Sequence, residues 1–371
     1  MIMNIKMTER SRRQNLGIEA APHLHAKTGT SAIMAITAAC LVPAFAVQVY
    51  FTGFGIVWQL CITLVTAAVC EVLCALLRHR GIFCFLKDYS FIITSMLLAM
   101  TLPPLLPWYL SCAATVFAIL LVKEAFGGLG MNIFNPAMAG FIFIFISSSN
   151  FMFQSWVTPH ENALSVASPK ASYEVIFEHA DAKILRDEIK AMSVDIPDAF
   201  TGATWLESVK TARKAGGMSN TFNADPLSQS FRGYVFLCAA LLIGGIVLMV
   251  MRIVFIRMVL SYFISLLLFS GFFYCLYPQY FLPPLQELLF GGSVIAGFFI
   301  ITDPVTNAGT AKGRIIYAVL TAFLIVMIRA FGSYSDAVAF SVMLSNAAAP
   351  LIDVLTRRRT FGQRYKKGML D

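Results

Sequence analysis

The chain has 371 residues, of which 58% are hydrophobic and 13% charged, against roughly 45–50% and 25% in soluble globular domains. Its mean hydropathy is +0.74. This composition excludes a disordered chain, an ordinary cytosolic enzyme and a basic nucleic-acid-binding domain, so the formal net charge of +8 is read first as membrane topology.

The first thirty residues are polar and show no cleavable signal peptide. Ten stretches then approach the ~20 apolar residues that a membrane helix needs: 31–52, 54–77, 89–106, 108–125, 133–149, 233–251, 256–276, 286–303, 315–332 and 337–356. They are too long and too continuously apolar for barrel strands, and lipid satisfies peptide groups only where the segment is helical. The expected fold is an all-α polytopic membrane protein of about ten transmembrane helices, with one long loop, 150–232, between the fifth and sixth. Residues 1–30 form a cytoplasmic segment, 31–149 helices 1–5, 233–356 helices 6–10, and 357–371 a basic cytoplasmic tail.

Orientation follows from the basic residues. With the N-terminus inside, cytoplasmic segments hold 19 of the 28 Lys and Arg, including Arg78, Lys123, Arg252, Arg314 and the tail arginines Arg357, Arg358 and Arg359. Eight more lie in the long loop, and Arg329 sits near one outer helix end. This asymmetry predicts both termini in the cytoplasm and a periplasmic 150–232 loop, with anionic lipid headgroups beside the basic segments. No nucleic-acid partner is expected.

Five spans on each side of the loop give the halves opposite orientations, the arithmetic of two inverted five-helix repeats. Thr101-Leu102-Pro103-Pro104 ends the third span and Thr302-Asp303-Pro304 the eighth; Asn135-Pro136 opens the fifth, and the tenth carries Asn346 and Pro350. Paired prolines read either as turn chemistry at helix ends or as broken helices around a central site. Glu71 lies well inside the second span, either as a hydrogen-bonded packing residue or as part of an ion path. Glu287, Asp336 and Asp353 fall at helix ends, where interfacial solvation accounts for them. The eight cysteines form no C-x-x-C pair and none lies in the loop; His160 and His179, both in the loop, have no ligand partners at metal-binding spacing. No metal is expected.

The loop holds ten acidic and eight basic residues, and its middle, roughly 173–192, is expected to form one or two helices, for example over 180–192. Next come Asp198-Ala199-Phe200-Thr201-Gly202-Ala203-Thr204. As a bare pattern, Thr204 reads as a turn or capping residue.

This stretch also resembles the flavinylation motif, Asp-x-x-Ser/Thr-Gly-Ala-Thr, of the Rnf (Rsx) ion-translocating oxidoreductase and the sodium-pumping NADH:quinone reductase. The likeness extends over Pro22-His23-Leu24-His25, over Gly127 to Met138 around Asn135-Pro136, over Ala296 to Thr306, and to Pro350-Leu351-Ile352-Asp353 before the arginines. The chain is thereby identified as a member of the NqrB/RnfD family, its short N-terminal segment favouring the RnfD branch. Ala199 and Thr201 depart from the commoner glycine and serine, and neither removes the acceptor hydroxyl.

The resemblance implies covalent FMN, phosphoester-linked to Thr204, on the periplasmic face of the bacterial inner membrane, making 150–232 the flavin-bearing loop. Asp198, Thr201, Gly202 and Ala203 complete the motif read by a flavin transferase. It further implies a second, noncovalent flavin (riboflavin) within the membrane part, for which the region of Asn135, Asp303 and Asn346 is the expected pocket. The implied partners are the A, B, C, E and G subunits of an Rnf-type complex that moves electrons between ferredoxin and NAD and translocates Na+ or H+, with Glu71 as candidate for the ion path. The competing reading is an inverted-repeat channel or transporter without redox chemistry, for which the threonine motif has no use.

Overall fold

The computed structural model describes residues 29–79, 88–157, 159–160, 163–178, 184, 206, 229–332 and 337–357. Among them six helices are long and apolar enough to cross a membrane. These are α1 (Thr30–Thr52), α2 (Gly55–Leu77), α9 (Gln229–Val250), α10 (Ile256–Leu276), α13 (Ala311–Phe331) and α14 (Val338–Thr356). Several of their threonines are turned back on their own helices: Thr52, Thr63, Thr66, Thr321 and Thr356 each donate to the carbonyl four residues earlier. A threonine is thereby tolerated within an apolar helix.

The other four expected spans are short or broken. Residues 89–106 contain only the 12-residue α3 (Ser90–Thr101), about 18 Å long at 1.5 Å per residue. Pro103, Pro104 and Pro107 stop it, because proline offers no N–H to the helix ladder. Then α4 (Trp108–Val116) continues into a π-helical stretch, Phe117–Glu124. In 133–149, α5 (Pro136–Ser147) starts at Pro136, with Asn135 as its cap, and a separate α6 (Ser149–Gln154) follows. The span expected over 286–303 divides into α11 (Pro284–Leu289) and the three-residue α12 (Ser293–Ile295), which runs on as a π stretch, Ala296–Ile300. The break falls at Gly291 and Gly292, whose φ of 65° and 73° are strained for any residue with a Cβ.

Helix pairing in the two parts of the chain corresponds. The pairs α2–α4 and α4–α5 have counterparts in α10–α13 and α13–α14, while α1 crosses α9 and α5 crosses α14 between the parts. The α1–α9 crossing is close enough that a Cβ on Gly244 would collide with the Cys40 carbonyl. One apolar core runs through both parts, with Leu41, Met138, Tyr262, Ile300 and Tyr317 almost fully enclosed.

Two ends of the molecule can be distinguished. The terminal face carries the start of α1 and the end of α14. On the opposite face, here the loop face, α7 (Ala163–Val166) and α8 (Pro169–Phe177) dock across the α1–α2 turn. Phe54 N–H donates to Ala167 O at 3.0 Å and Trp58 Nε1 to Pro169 O at 3.1 Å. His160, within the 150–232 stretch, is buried, its N–H bonded to Phe51 O at 2.8 Å. The helix expected over 180–192 lies outside the described residues, apart from Ile184.

Candidate functional site

The broken segments free backbone carbonyls inside the protein, and polar side chains of neighbouring helices meet them. Gln59 of α2 donates to Leu106 O at 2.6 Å and accepts from Ser111 Oγ, while Gln48 of α1 donates to Met100 O at 3.0 Å. Around the second break, Arg329 of α13 donates to Glu287 O (2.7 Å), Phe290 O (3.0 Å) and Gly291 O (2.9 Å). Its guanidinium also pairs with Glu287 Oε1 at 2.9 Å, and both side chains are buried. Glu287 is therefore not a solvated helix-end carboxylate; its charge is balanced inside the protein. Asp353 is likewise engaged, accepting from Gly309 N at 2.9 Å and Thr310 N at 3.1 Å at the start of α13.

The three residues expected to form one pocket are brought together. Asn135 Oδ1 caps α5, accepting from Ala137 N (3.1 Å) and Met138 N (3.3 Å). With its amide turned so that donors meet acceptors, Asn346 Oδ1 accepts from Asn135 N at 3.0 Å. Its Nδ2 then donates to Thr306 O at 3.3 Å and to Tyr317 Oη at 2.5 Å. Asp303 accepts from Val305 N at 3.3 Å and from Thr306 Oγ1 at 3.2 Å. A single network thus joins the broken eighth segment to the start of α5 and the middle of α14.

Asn135 and Asp303 border a cavity of about 230 Å³ open toward the terminal face; Asn346 stands behind its wall. Apolar side chains such as Ile93, Leu248 and Phe299 alternate there with Thr94, Asn132 and Lys123. Asn132 is buried and its Oδ1 has no hydrogen-bond donor among the described residues. A ligand with a flat apolar body and an N–H or O–H group matches that lining.

A second cavity, of about 160 Å³, lies toward the loop face between α1, α3, α9 and the Gly291–Gly292 break. On its wall, Gln48 Oε1 is an acceptor with no hydrogen-bond donor among the described residues. Leu206 also lines it, buried against Leu282 and Phe290. Asp198, Thr201, Gly202, Ala203 and Thr204 lie outside the described residues, as does His179.

Glu71 is almost fully buried, and its Oε1 forms an ion pair with Lys123 of the π stretch. Lys123 Nζ also donates to Ser90 Oγ at 2.8 Å, while Arg78 pairs with Glu124 at 2.9 Å. Lys123 is therefore no interfacial topology charge. Sequence reading missed this pairing and that of Arg329 with Glu287; the available signal was a Lys and an Arg each falling within an apolar run.

These features define a polytopic helical membrane protein with broken helices and, toward each face, a largely apolar cavity carrying a few polar groups. The chain belongs to the NQR2, RnfD, RnfE family, whose model matches residues 17–362. It is similar to the D subunit of the ion-translocating oxidoreductase complex of Tolumonas auensis, 36% identical over 351 residues, covering 94% of this chain and 99% of that protein. Proteins of the same name from Shewanella frigidimarina and from Escherichia coli O6:H1 are 37% and 35% identical, each spanning 94% of this chain and 98% of the relative.

The buried Arg329–Glu287 pair makes a stability prediction. Arg329→Met strands a carboxylate and three carbonyls, and is expected to cost about 3–5 kcal/mol, read as a lower Tm of the detergent-solubilised protein. Combining it with Glu287→Leu removes the stranded charge, so the double variant should lose less than the two single losses added together. Additive losses would show that the two side chains are not coupled.

Proposed function

We propose that this chain is the flavin-carrying membrane subunit of an Rnf-type ion-translocating oxidoreductase complex. Membership of such a complex rests on the family and on relatives that carry that name over nearly their whole length. In this reading FMN is phosphoester-linked to Thr204, within the motif Asp198, Thr201, Gly202 and Ala203, and a noncovalent riboflavin occupies the terminal-face cavity. The supporting observation is the pair of cavities toward opposite faces. Leu206, two residues after Thr204 in the chain, lines one of them; Asn132, Asn135 and Asp303 line the other.

Both linings fit an isoalloxazine ring, which is flat, largely apolar and carries an N–H between two carbonyls. Gln48 Oε1 and Asn132 Oδ1 are the acceptors available to such an N–H. When bound, flavin supplies one- and two-electron transfer. The chain's own residues hold it: the Asn135–Asn346–Thr306 network fixes one wall, and the carbonyls bound by Arg329 fix another. Apolar side chains around both cavities exclude water.

The reading further comprises ten membrane crossings in two inverted five-helix repeats, supported by the corresponding helix pairings. The loop face is periplasmic and the terminal face cytoplasmic, in a bacterial inner membrane. The remaining partners are the A, B, C, E and G subunits, a flavin transferase and the surrounding lipid, with electrons passing between ferredoxin and NAD and Na+ or H+ as the coupling ion. Glu71, a buried carboxylate with one oxygen unpartnered among the described residues, is the candidate for the ion path.

Three experiments test these points. With the flavin transferase co-expressed, Thr204→Val abolishes the fluorescent band on a denaturing gel, whereas Thr201→Ala and Thr204→Ser retain a band; flavin that maps to Thr201 refutes the assignment. Reporter fusions at Ser219 and after Lys367 report opposite sides of the membrane, and agreement between them excludes the topology. In vesicles, Glu71→Gln lowers ion uptake per electron transferred while covalent flavin is retained; normal coupling removes Glu71 from the path.

A further inference from the structure

Lys123 occupies an unusual position. It lies one residue before the end of the π stretch that follows α4, its side chain is 4% exposed, and two of its three N–H donors go to Glu71 Oε1 and Ser90 Oγ. Both Lys123 and Ser90 form part of the wall of the terminal-face cavity. Among the described residues Lys123 is the only cation lining that cavity. The carboxylate on the same wall, Asp303, already accepts from Val305 N and Thr306 Oγ1. Glu124, outside the lining, pairs with Arg78 at 2.9 Å and stands 3.9 Å from Lys123 Nζ, so Glu71 is the nearer of two carboxylates on the ammonium.

Stability alone does not account for this arrangement. A buried ion pair contributes little more than well-packed apolar side chains of similar volume, and nothing in helix packing requires its cation to face a cavity. A fixed ammonium beside a low-dielectric cavity does, however, favour a bound group that gains negative charge.

We propose that Lys123 is a positioning and tuning residue for the terminal-face cavity: its ammonium is the counter-charge for a flavin that becomes anionic on reduction, and Glu71 sets how much of that charge the cavity feels. The proposal rests on the reading that this cavity holds a noncovalent flavin. The electron arrives from outside the chain, no bond of the protein is made or broken, and the ammonium offsets the negative charge left on the ring. Lys123 touches the bound group; Glu71 acts through Lys123.

The two members of the ion pair therefore have opposite effects. Removing the cation by Lys123→Met makes reduction harder. Neutralising its nearer partner by Glu71→Gln leaves only the more distant Glu124, 3.9 Å away and shared with Arg78, to oppose the ammonium, and makes reduction easier. A purely structural role for the pair would move both variants the same way or not at all. Lys123→Arg keeps the charge and stays near the wild type.

The test uses the whole complex, purified with each variant in a Thr204→Val background so that this chain carries no covalent flavin. Acid-released flavin is first counted. The flavin band is then titrated with dithionite against reference dyes. The expected result is a noncovalent flavin whose reduction equilibrium shifts at least tenfold, about 59 mV for one electron, in opposite directions for Lys123→Met and Glu71→Gln. If Lys123→Met releases the flavin, the positive shift in Glu71→Gln still decides the matter. Shifts of the same sign, or none, overturn the proposal while leaving the cavity assignment standing. A complex that releases no noncovalent flavin overturns the assignment and the proposal with it.

Discussion

The structure depends on one constraint: within a membrane a peptide carbonyl released from a helix finds no water and must be met by the protein itself. Prolines at 103, 104 and 107 and glycines at 291 and 292 break two segments inside the core. Gln59, Gln48 and Ser111 meet the consequences of the first break, and Arg329 those of the second. These side chains are buried polar groups that would be costly elsewhere. Here each replaces a missing turn of helix. The breaks are thus made tolerable, and the irregular backbone they leave borders cavities that continuous helices would have closed.

The two parts of the chain solve the same problem with different chemistry. The fourth segment ends in Lys123 toward the terminal face, and α13 ends near Arg329 toward the loop face. Each cation enters the protein interior, pairs with a carboxylate and touches the start of a neighbouring short helix, at Ser90 in one case and around Phe290–Gly291 in the other. The difference lies in valency. Arg329 commits its fork to three carbonyls and a carboxylate, which suits a fixed joint. Lys123 is a compact charge with few commitments, and it stands at a cavity wall.

The long helices were legible in the sequence because unbroken apolarity over about twenty residues arises in little else than a membrane span; α10 fills its expected span from 256 to 276. Backbone continuity was not legible from hydropathy, since an apolar proline-rich run such as 102–107 scores as part of a helix. The grouping of Asn135, Asp303 and Asn346 was accessible from the matching breaks in the two parts of the chain. Gln48 and Asn132 were not: an amide oxygen becomes an unmet acceptor only when packing has placed it against a cavity. Lys123 and Glu287 were misread, and the pairing of Arg329 missed, for a related reason. Each lies near the end of an apolar run, where sequence alone does not separate a charge in the headgroup layer from one folded inward against a counter-ion.

The π stretch in α4 has an evolutionary consequence. Its hydrogen bonds skip to the fifth residue, as where Ala125 N–H reaches Leu120 O at 2.9 Å, so the helix accommodates one residue more than an α-helix of the same path. A change that rewound this stretch into a regular α-helix with the same number of residues would conserve its hydrophobicity. It would also rotate everything downstream by about 100°, carrying Lys123 away from Glu71 and Ser90. A change of winding invisible to hydropathy would thereby disconnect the charge from the cavity, so the winding of this stretch is under a constraint that amino-acid type alone does not express.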